Sequence, residues 1–133
     1  MLIFLDSNIV IYLIEQAPRW GRRAAQRLSA VRGGDDRIVL SDLVRMECRV
    51  GPLTAGDHAT LAAFDSFFVS SEVDVTGITA AVCDRAAEIR AQYGFRPLDA
   101  LHLSAAVEAG CEIFLTTDAR LDSFSDLAVE VLC

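Results

Sequence analysis

The chain contains no lysine; all 12 of its basic residues are arginine. That absence excludes any mechanism resting on a lysine amine, a Schiff base or a phosphate-loop lysine among them. Genomic composition bias is the simple explanation, and selection for arginine forks on phosphate or carboxylate the other. Positive charge is scarce altogether. Against the 12 arginines stand 19 Asp and Glu, for a net charge of −7 and an isoelectric point near 4.7. A passive electrostatic grip on nucleic acid or on an anionic membrane is therefore disfavoured, although a bound cation can invert a local field. The four cysteines, Cys48, Cys83, Cys111 and Cys133, form no C-x-x-C pair, so neither a zinc cluster nor a redox motif is indicated. The first three lie among apolar neighbours and are expected in the core, with Cys133 exposed. A reduced, cytoplasmic setting is the default expectation. The apolar start, Met1 to Ile14, lacks a basic n-region and is interrupted by Asp6 and Asn8. Neither a signal peptide nor a membrane span is expected there.

What the chain does have is 133 residues with 53% hydrophobic content, enough to bury a core, and a single domain over residues 1–133 is expected. Short apolar runs alternate with helical patterns. Leu2-Ile3-Phe4-Leu5 suits a strand buried on both faces. Asp6-Ser7-Asn8 supplies caps for a helix to about Glu15. Pro18 is placed to open a helix to about Val31, and Gly33-Gly34-Asp35-Asp36 reads as a turn. Ile38 to Leu40 is a second strand, followed by a helix from Ser41 and Asp42 to about Val50, which Gly51-Pro52 should end. Ala55 to Phe68 reads as another helix, and Val73 to Val75 as a brief strand. Thr79 caps a helix over 80–93 that stops at Gly94. Pro97 opens a helix to Ala109, closed by Gly110. Glu112 to Leu115 and Ala128 to Leu132 complete the strands. Such alternation predicts an α/β fold, helices layered on a mainly parallel sheet.

Four acids stand out by position. Asp6 and Asp118 each follow a buried-type strand, and ligands of open parallel sheets gather beyond the carboxyl ends of the strands. Glu47 lies in the helix leaving the second strand, among Val44, Met46 and Cys48. Asp99 is the only acid of an otherwise apolar helix, Leu98 to Val107, where a buried carboxylate must find a partner or take up a proton. Singly, Asp6 and Asp118 could cap the helices after them, Glu47 could be solvated or paired with Arg45 or Arg49, and Asp99 could serve the helix dipole or an arginine. Together, with no lysine and no obvious arginine among them, they favour a divalent metal site. Oxygen-only ligands indicate Mg²⁺ or Mn²⁺ rather than Zn²⁺. An ion there activates a water and stabilises the charge that builds up in phosphodiester hydrolysis.

The ordered set Phe4-Leu-Asp-Ser-Asn-Ile, Leu40-Ser-x-Leu-x-x-x-Glu47, Pro97-Leu-Asp-Ala-Leu-His-Leu-Ser-Ala-Ala and Phe114-Leu-Thr-Thr-Asp118 resembles the PIN-domain ribonucleases. Within them it is similar to the toxins of VapBC-type toxin–antitoxin modules, over nearly the whole chain. The resemblance implies a three-layer α/β/α PIN-like fold and Mg²⁺- or Mn²⁺-dependent cleavage of RNA to 5′ phosphate and 3′ hydroxyl ends. It implies Asp6, Glu47, Asp99 and Asp118 as catalytic and metal-binding acids, with Ser7, Asn8 and Thr116 as supporting polar residues. A homodimer and inhibition by a small cognate VapB-like antitoxin are implied as well. Thr117 departs from a frequent Asn, and Arg120 stands where some members carry a further acid. Asp122 could substitute for that acid, but capping or facing solvent is its ordinary reading.

Other residues carry weaker signals. His102, one turn after Asp99, reads first as a core histidine and second as a substrate contact or acid. Arg19, Arg22, Arg23 and Arg27 share a helical face with Trp20; a solvated face is the ordinary reading, and contact with RNA phosphates or an acidic antitoxin the functional one. Two rival functions are a structure-selective DNA nuclease and a non-catalytic PIN-like protein-binding module. A phosphoacceptor receiver domain shares this length and acidity, but it needs a lysine.

Overall fold

A computed structural model describes residues 1–31 and 34–133. The strands are β1 (Leu2–Leu5), β2 (Arg37–Ser41), β3 (Val73–Thr76), β4 (Ile113–Thr116) and β5 (Ala128–Val131). The helices are α1 (Ser7–Glu15), α2 (Trp20–Ser29), α3 (Asp42–Ala55), α4 (His58–Phe68), α5 (Ala80–Tyr93) and α6 (Pro97–Glu108), and a 3₁₀ turn covers Ala119–Ser123. The strands form one sheet in the order β3-β2-β1-β4-β5. Every pairing is parallel, with Leu5 level with Leu115 and Phe4 with Val39. Phe4, Leu5, Leu40, Phe114 and Leu115 are completely buried. Continuous apolar runs of this kind belong to strands covered on both faces. Helices α1 to α4 pack on one another and α5 packs on α6, so the sheet is the middle of an α/β/α sandwich.

The strand order positions the site. From β1 the chain steps outward through β2 to β3, then returns to the other side of β1 for β4 and β5. The direction reverses between β1 and β4, and a crevice opens beyond the strand ends at such a point. All five strands are parallel, so their carboxyl ends share one edge.

The predicted strands and most helices stand within a residue or two of their expected bounds. Three expectations about helix ends are corrected. Gly51-Pro52 does not end α3, which runs through the buried Pro52 to Ala55 and stops at Gly56, with φ of 67°. Pro52 stands in the last turn, where a proline costs less than in mid-helix. The helix expected from Ala55 begins instead at His58, because Asp57 caps it, accepting from the Thr60 amide at 3.0 Å and the Thr60 hydroxyl at 2.7 Å. Pro18 does not open α2; it lies in the tight link between α1 and α2, and the helix starts at Trp20 and ends at Ser29. Of the expected glycine turn, Gly33 lies outside the described residues, while the Gly34 amide bonds the Val31 carbonyl at 3.3 Å. Cys83 is also corrected. It is exposed, unlike the buried Cys48 and Cys111.

Candidate functional site

Asp6 follows β1 at the switch point and caps α1. Its Oδ1 accepts from the Ser7 amide at 2.9 Å, and its Oδ2 from the Thr116 hydroxyl at 2.7 Å. Thr116 ends the neighbouring β4, and its Oγ1 accepts from the Asp118 amide at 3.0 Å. One hydroxyl thus ties the two strand-end acids together. Asp6 is only 6% exposed and has no ion-pair partner among the described residues. Burial raises its carboxyl pKa above the ordinary aspartate range. The charge of Asp99 acts the same way, while His102, Thr116 and Ser7 oppose it without cancelling it.

Glu47 arrives from the second turn of α3. Its Oε1 accepts from the Ser7 hydroxyl at 2.6 Å and sits 2.5 Å from Nε2 of His102. Burial acts to raise its pKa, but the bonds from His102 and Ser7 outweigh burial and hold the carboxyl below the usual glutamate range. An ionised carboxylate accepts, so Nε2 of His102 carries the proton that faces it. Neither Arg45 nor Arg49 pairs with Glu47. Arg49 bonds Asp65, and Arg45 lies 4.9 Å over the Phe68 ring.

His102 is 2% exposed, which answers the sequence question about it. It is buried in the core, as its first reading expected, and its Nε2 bonds and orients Glu47. Its Nδ1 is buried without a partner among the described residues. Ser7, His102 and Glu47 do not make a nucleophilic triad, because Ser7 and Glu47 both approach the same ring nitrogen. A triad needs the acid on one nitrogen and the nucleophile on the other.

Asp99 stands in the first turn of α6, where the helix dipole favours an anion. Asp118 caps the 3₁₀ turn through the Arg120 amide at 3.0 Å. The structure corrects one sequence expectation here, since arginines do lie among the acids. The Arg120 guanidinium bonds Asp118 and reaches Asp99 Oδ2 at 3.6 Å, and Arg96 reaches the same Asp99 oxygen at 3.2 Å. The bond from Arg120 holds the Asp118 carboxyl below the usual range, against the opposing effect of burial. The sequence did carry the signal for both: Arg120 is two residues past Asp118, and Arg96 three before Asp99. Asp122 is exposed on the same 3₁₀ turn.

Glu47, Arg96, Pro97, Leu98 and Asp99 line an open cleft of ≈ 420 Å³. Asn8, in the first turn of α1 and outside this lining, has its side-chain Oδ1 buried without a partner among the described residues. The donors are carboxylates supported by the Ser7 and Thr116 hydroxyls, an all-oxygen set that fits a hard divalent cation. As the side chains stand, no three His, Cys, Asp or Glu among the described residues are close enough to hold an ion. Two of the four acids are engaged by guanidinium groups instead.

The family model for the PIN domain matches residues 3–127. The chain belongs to the PIN domain family. No curated protein matches it. Among solved structures, this PIN chain is similar to VapBC2 from Rickettsia felis bound to a DNA fragment from its promoter, with a TM-score of 0.83 and 19% identity over 100% of both chains. It is similar to VapBC-1 from nontypeable Haemophilus influenzae, with a TM-score of 0.75 and 21% identity over 98% of both chains. A third is VapC20 of Mycobacterium tuberculosis, described as a sarcin-ricin loop cleaving toxin, with a TM-score of 0.72 and 19% identity over 95% of this chain and 98% of that one. At these identities the likeness establishes the PIN fold.

The distant arginine cluster is also placed. Arg19 and Arg23 lie 4.8 and 5.9 Å from the Trp20 ring, which stacks on Tyr12. Tyr12 is six residues past Asp6, roughly 9 Å along the axis of α1. Arg27 leaves the group by bonding Glu130 at 2.5 and 3.1 Å. Among the described residues, no helix is long and apolar enough to cross a membrane.

Proposed function

We propose that the chain is a divalent-metal-dependent endoribonuclease, acting as one PIN unit and as the toxin of a VapBC-type toxin–antitoxin module. The observation that carries the reading is the delivery of Asp6, Glu47, Asp99 and Asp118 to one edge of a parallel sheet, around its switch point. Asp6 among them is buried without an ion-pair partner among the described residues. A carboxylate so placed is expensive unless a counterion joins it.

Asp6, Asp99 and Asp118 would hold the ion, Mg²⁺ or Mn²⁺, with Glu47 joining directly or through a water. When bound, the ion supplies an activated water and stabilises the charge on the phosphoryl oxygens. Ser7 and Thr116 fix the carboxylate oxygens, and His102 holds Glu47 in line with the cleft. The P–O3′ bond breaks as the bond from water to phosphorus forms. The 3′ oxygen takes up a proton, leaving 5′ phosphate and 3′ hydroxyl ends.

The solved VapBC assemblies of similar fold support a VapB-like antitoxin as partner; a homodimer and a cytoplasmic setting belong to the same proposal. Arg19, Arg22 and Arg23 are the candidate contacts for RNA phosphates or for acidic groups of that antitoxin. The test is cleavage of RNA by the purified chain, free of antitoxin. Cleavage is expected with Mg²⁺ or Mn²⁺ and is expected to vanish with EDTA or in Asp6→Asn; activity indifferent to both would overturn the reading. Branched DNA cut in preference to RNA would favour a structure-selective DNA nuclease. The arginines on Asp99 and Asp118 favour one second reading, a non-catalytic protein-binding PIN module, and calorimetry without any metal uptake would support it.

A further inference from the structure

We propose that Arg120 is a built-in competitor for the cation position. Its guanidinium occupies the carboxylates of Asp99 and Asp118, and it must swing away before a divalent ion is held there. The inference rests on the reading of these acids as the metal site. Three observations carry it. First, one guanidinium spans two acids brought together from α6 and from the end of β4. A shared guanidinium neutralises both carboxylates and takes up the oxygens an ion needs.

Second, release is cheap. The Arg120 side chain is 57% exposed, whereas Asp99 and Asp118 are 16% and 21% exposed. The cation can therefore move into solvent while the acids stay in place. Third, departure of the guanidinium leaves the backbone intact. Asp118 still accepts the Arg120 amide at 3.0 Å, so the 3₁₀ turn keeps its cap through the exchange. Arg96 contributes less, since it reaches Asp99 alone and is itself 67% exposed.

The apparent affinity for the ion is then lowered by the fraction of molecules with Arg120 withdrawn. Metal loading becomes an exchange of one cation for another rather than entry into a bare acidic pocket. The acids are also neutralised before any ion arrives, which moderates their mutual repulsion.

The experiment is calorimetric titration of Mn²⁺ into the full chain and into Arg120→Gln, Arg120→Lys and Asp6→Asn, at fixed pH and ionic strength. Circular dichroism checks that each variant is folded. Arg120→Gln is expected to bind Mn²⁺ on the order of tenfold more tightly than the unmodified chain, with Arg120→Lys between them, since an ammonium lacks the two-pronged fork. Asp6→Asn should lose binding. The Arg120 Nε–H resonance is expected to move to a solvent-exposed position when Mg²⁺ is added. Equal or weaker Mn²⁺ binding by Arg120→Gln, in a chain whose unmodified form does bind, would overturn the competitor and leave the metal-site reading standing. Failure of both the unmodified chain and Arg120→Gln to bind would overturn that reading, and the competitor with it.

Discussion

Asp6 caps a helix, accepts a threonine hydroxyl and feels the charge of Asp99, yet it is buried without an ion-pair partner among the described residues. Its raised pKa has a definite sign in stability. A carboxyl whose folded pKa exceeds its unfolded value adds stability below the unfolded pKa and loses that contribution as pH rises through the folded value. Ionised Asp6 therefore strains the metal-free protein near neutral pH. Asn keeps the capping oxygen without the charge. Asp6→Asn is expected to abolish cleavage while raising the melting temperature in EDTA, and the gain should widen as pH rises above the ordinary aspartate range and through the raised folded value. A melting point unchanged or lowered across that range would contradict the account of Asp6. The cysteines divide by the same physics. Burial pushes the Cys48 and Cys111 thiols up to about 12, and Cys83 and Cys133 are exposed. Since the thiolate is the reactive form, iodoacetamide should modify Cys83 and Cys133 in the native protein and spare the other two, as a peptide map would show. Cys83 was misplaced from sequence because apolar neighbours along the chain were read as apolar surroundings in space. Val82 and Ala86 do face the core of α5, and Cys83 falls on the other side. The arginines on Asp99 and Asp118 were missed for the opposite reason. They sit within three residues of the acids, and a nearby charge pairs or points away according to the turn between them, which the sequence does not specify.

The strands were legible because each is a short apolar run closed by polar caps, and a parallel sheet buried on both faces demands such runs. The caps Asp6, Ser41 and Thr79 were equally legible, each accepting from an amide at the start of its helix. The helix ends were less so. Pro52 looks like a stop in sequence, whereas the stop is the left-handed Gly56 followed by the capping Asp57. Gly21 is a feature no periodicity reveals. It lets α2 lie against the end of α1, where a Cβ would come within 2.8 Å of the Tyr12 carbonyl oxygen and 2.9 Å of the Gln16 carbonyl carbon. Backbone atoms cannot yield as a flexible side chain can. Gly21→Ala is expected to destabilise the fold by roughly 1–3 kcal/mol, since overpacking outweighs the gain in helix propensity. Urea denaturation would measure it, and a stability equal to the parent's would show that α2 can shift to make room.

At the scale of the whole molecule, the parallel sheet concentrates charge. The strand order was not legible in the sequence, because apolar runs announce strands and not their neighbours. Yet alternation alone implied a common edge for the carboxyl ends, and that was enough to collect Asp6 and Asp118. Four of the 19 acidic residues of this chain, whose net charge is −7, lie at this edge, and each divalent ion cancels two of their charges. An ion bound there binds the folded state alone, because the unfolded chain scatters the four acids. At about a hundred times its dissociation constant, such an ion stabilises by about 2.7 kcal/mol, which for a domain of this size is roughly 8–10 °C in melting temperature. Diffuse screening of a net negative protein would also raise the melting point, but NaCl at matched ionic strength would reproduce that effect. Mn²⁺ is therefore expected to raise the melting temperature well beyond NaCl. The excess should disappear in Asp99→Asn, which removes one anion of the set and leaves most of the net charge in place. An equal response to the two salts, or an excess that survives in Asp99→Asn, would mean that the acids at the sheet edge act only as a diffuse negative surface.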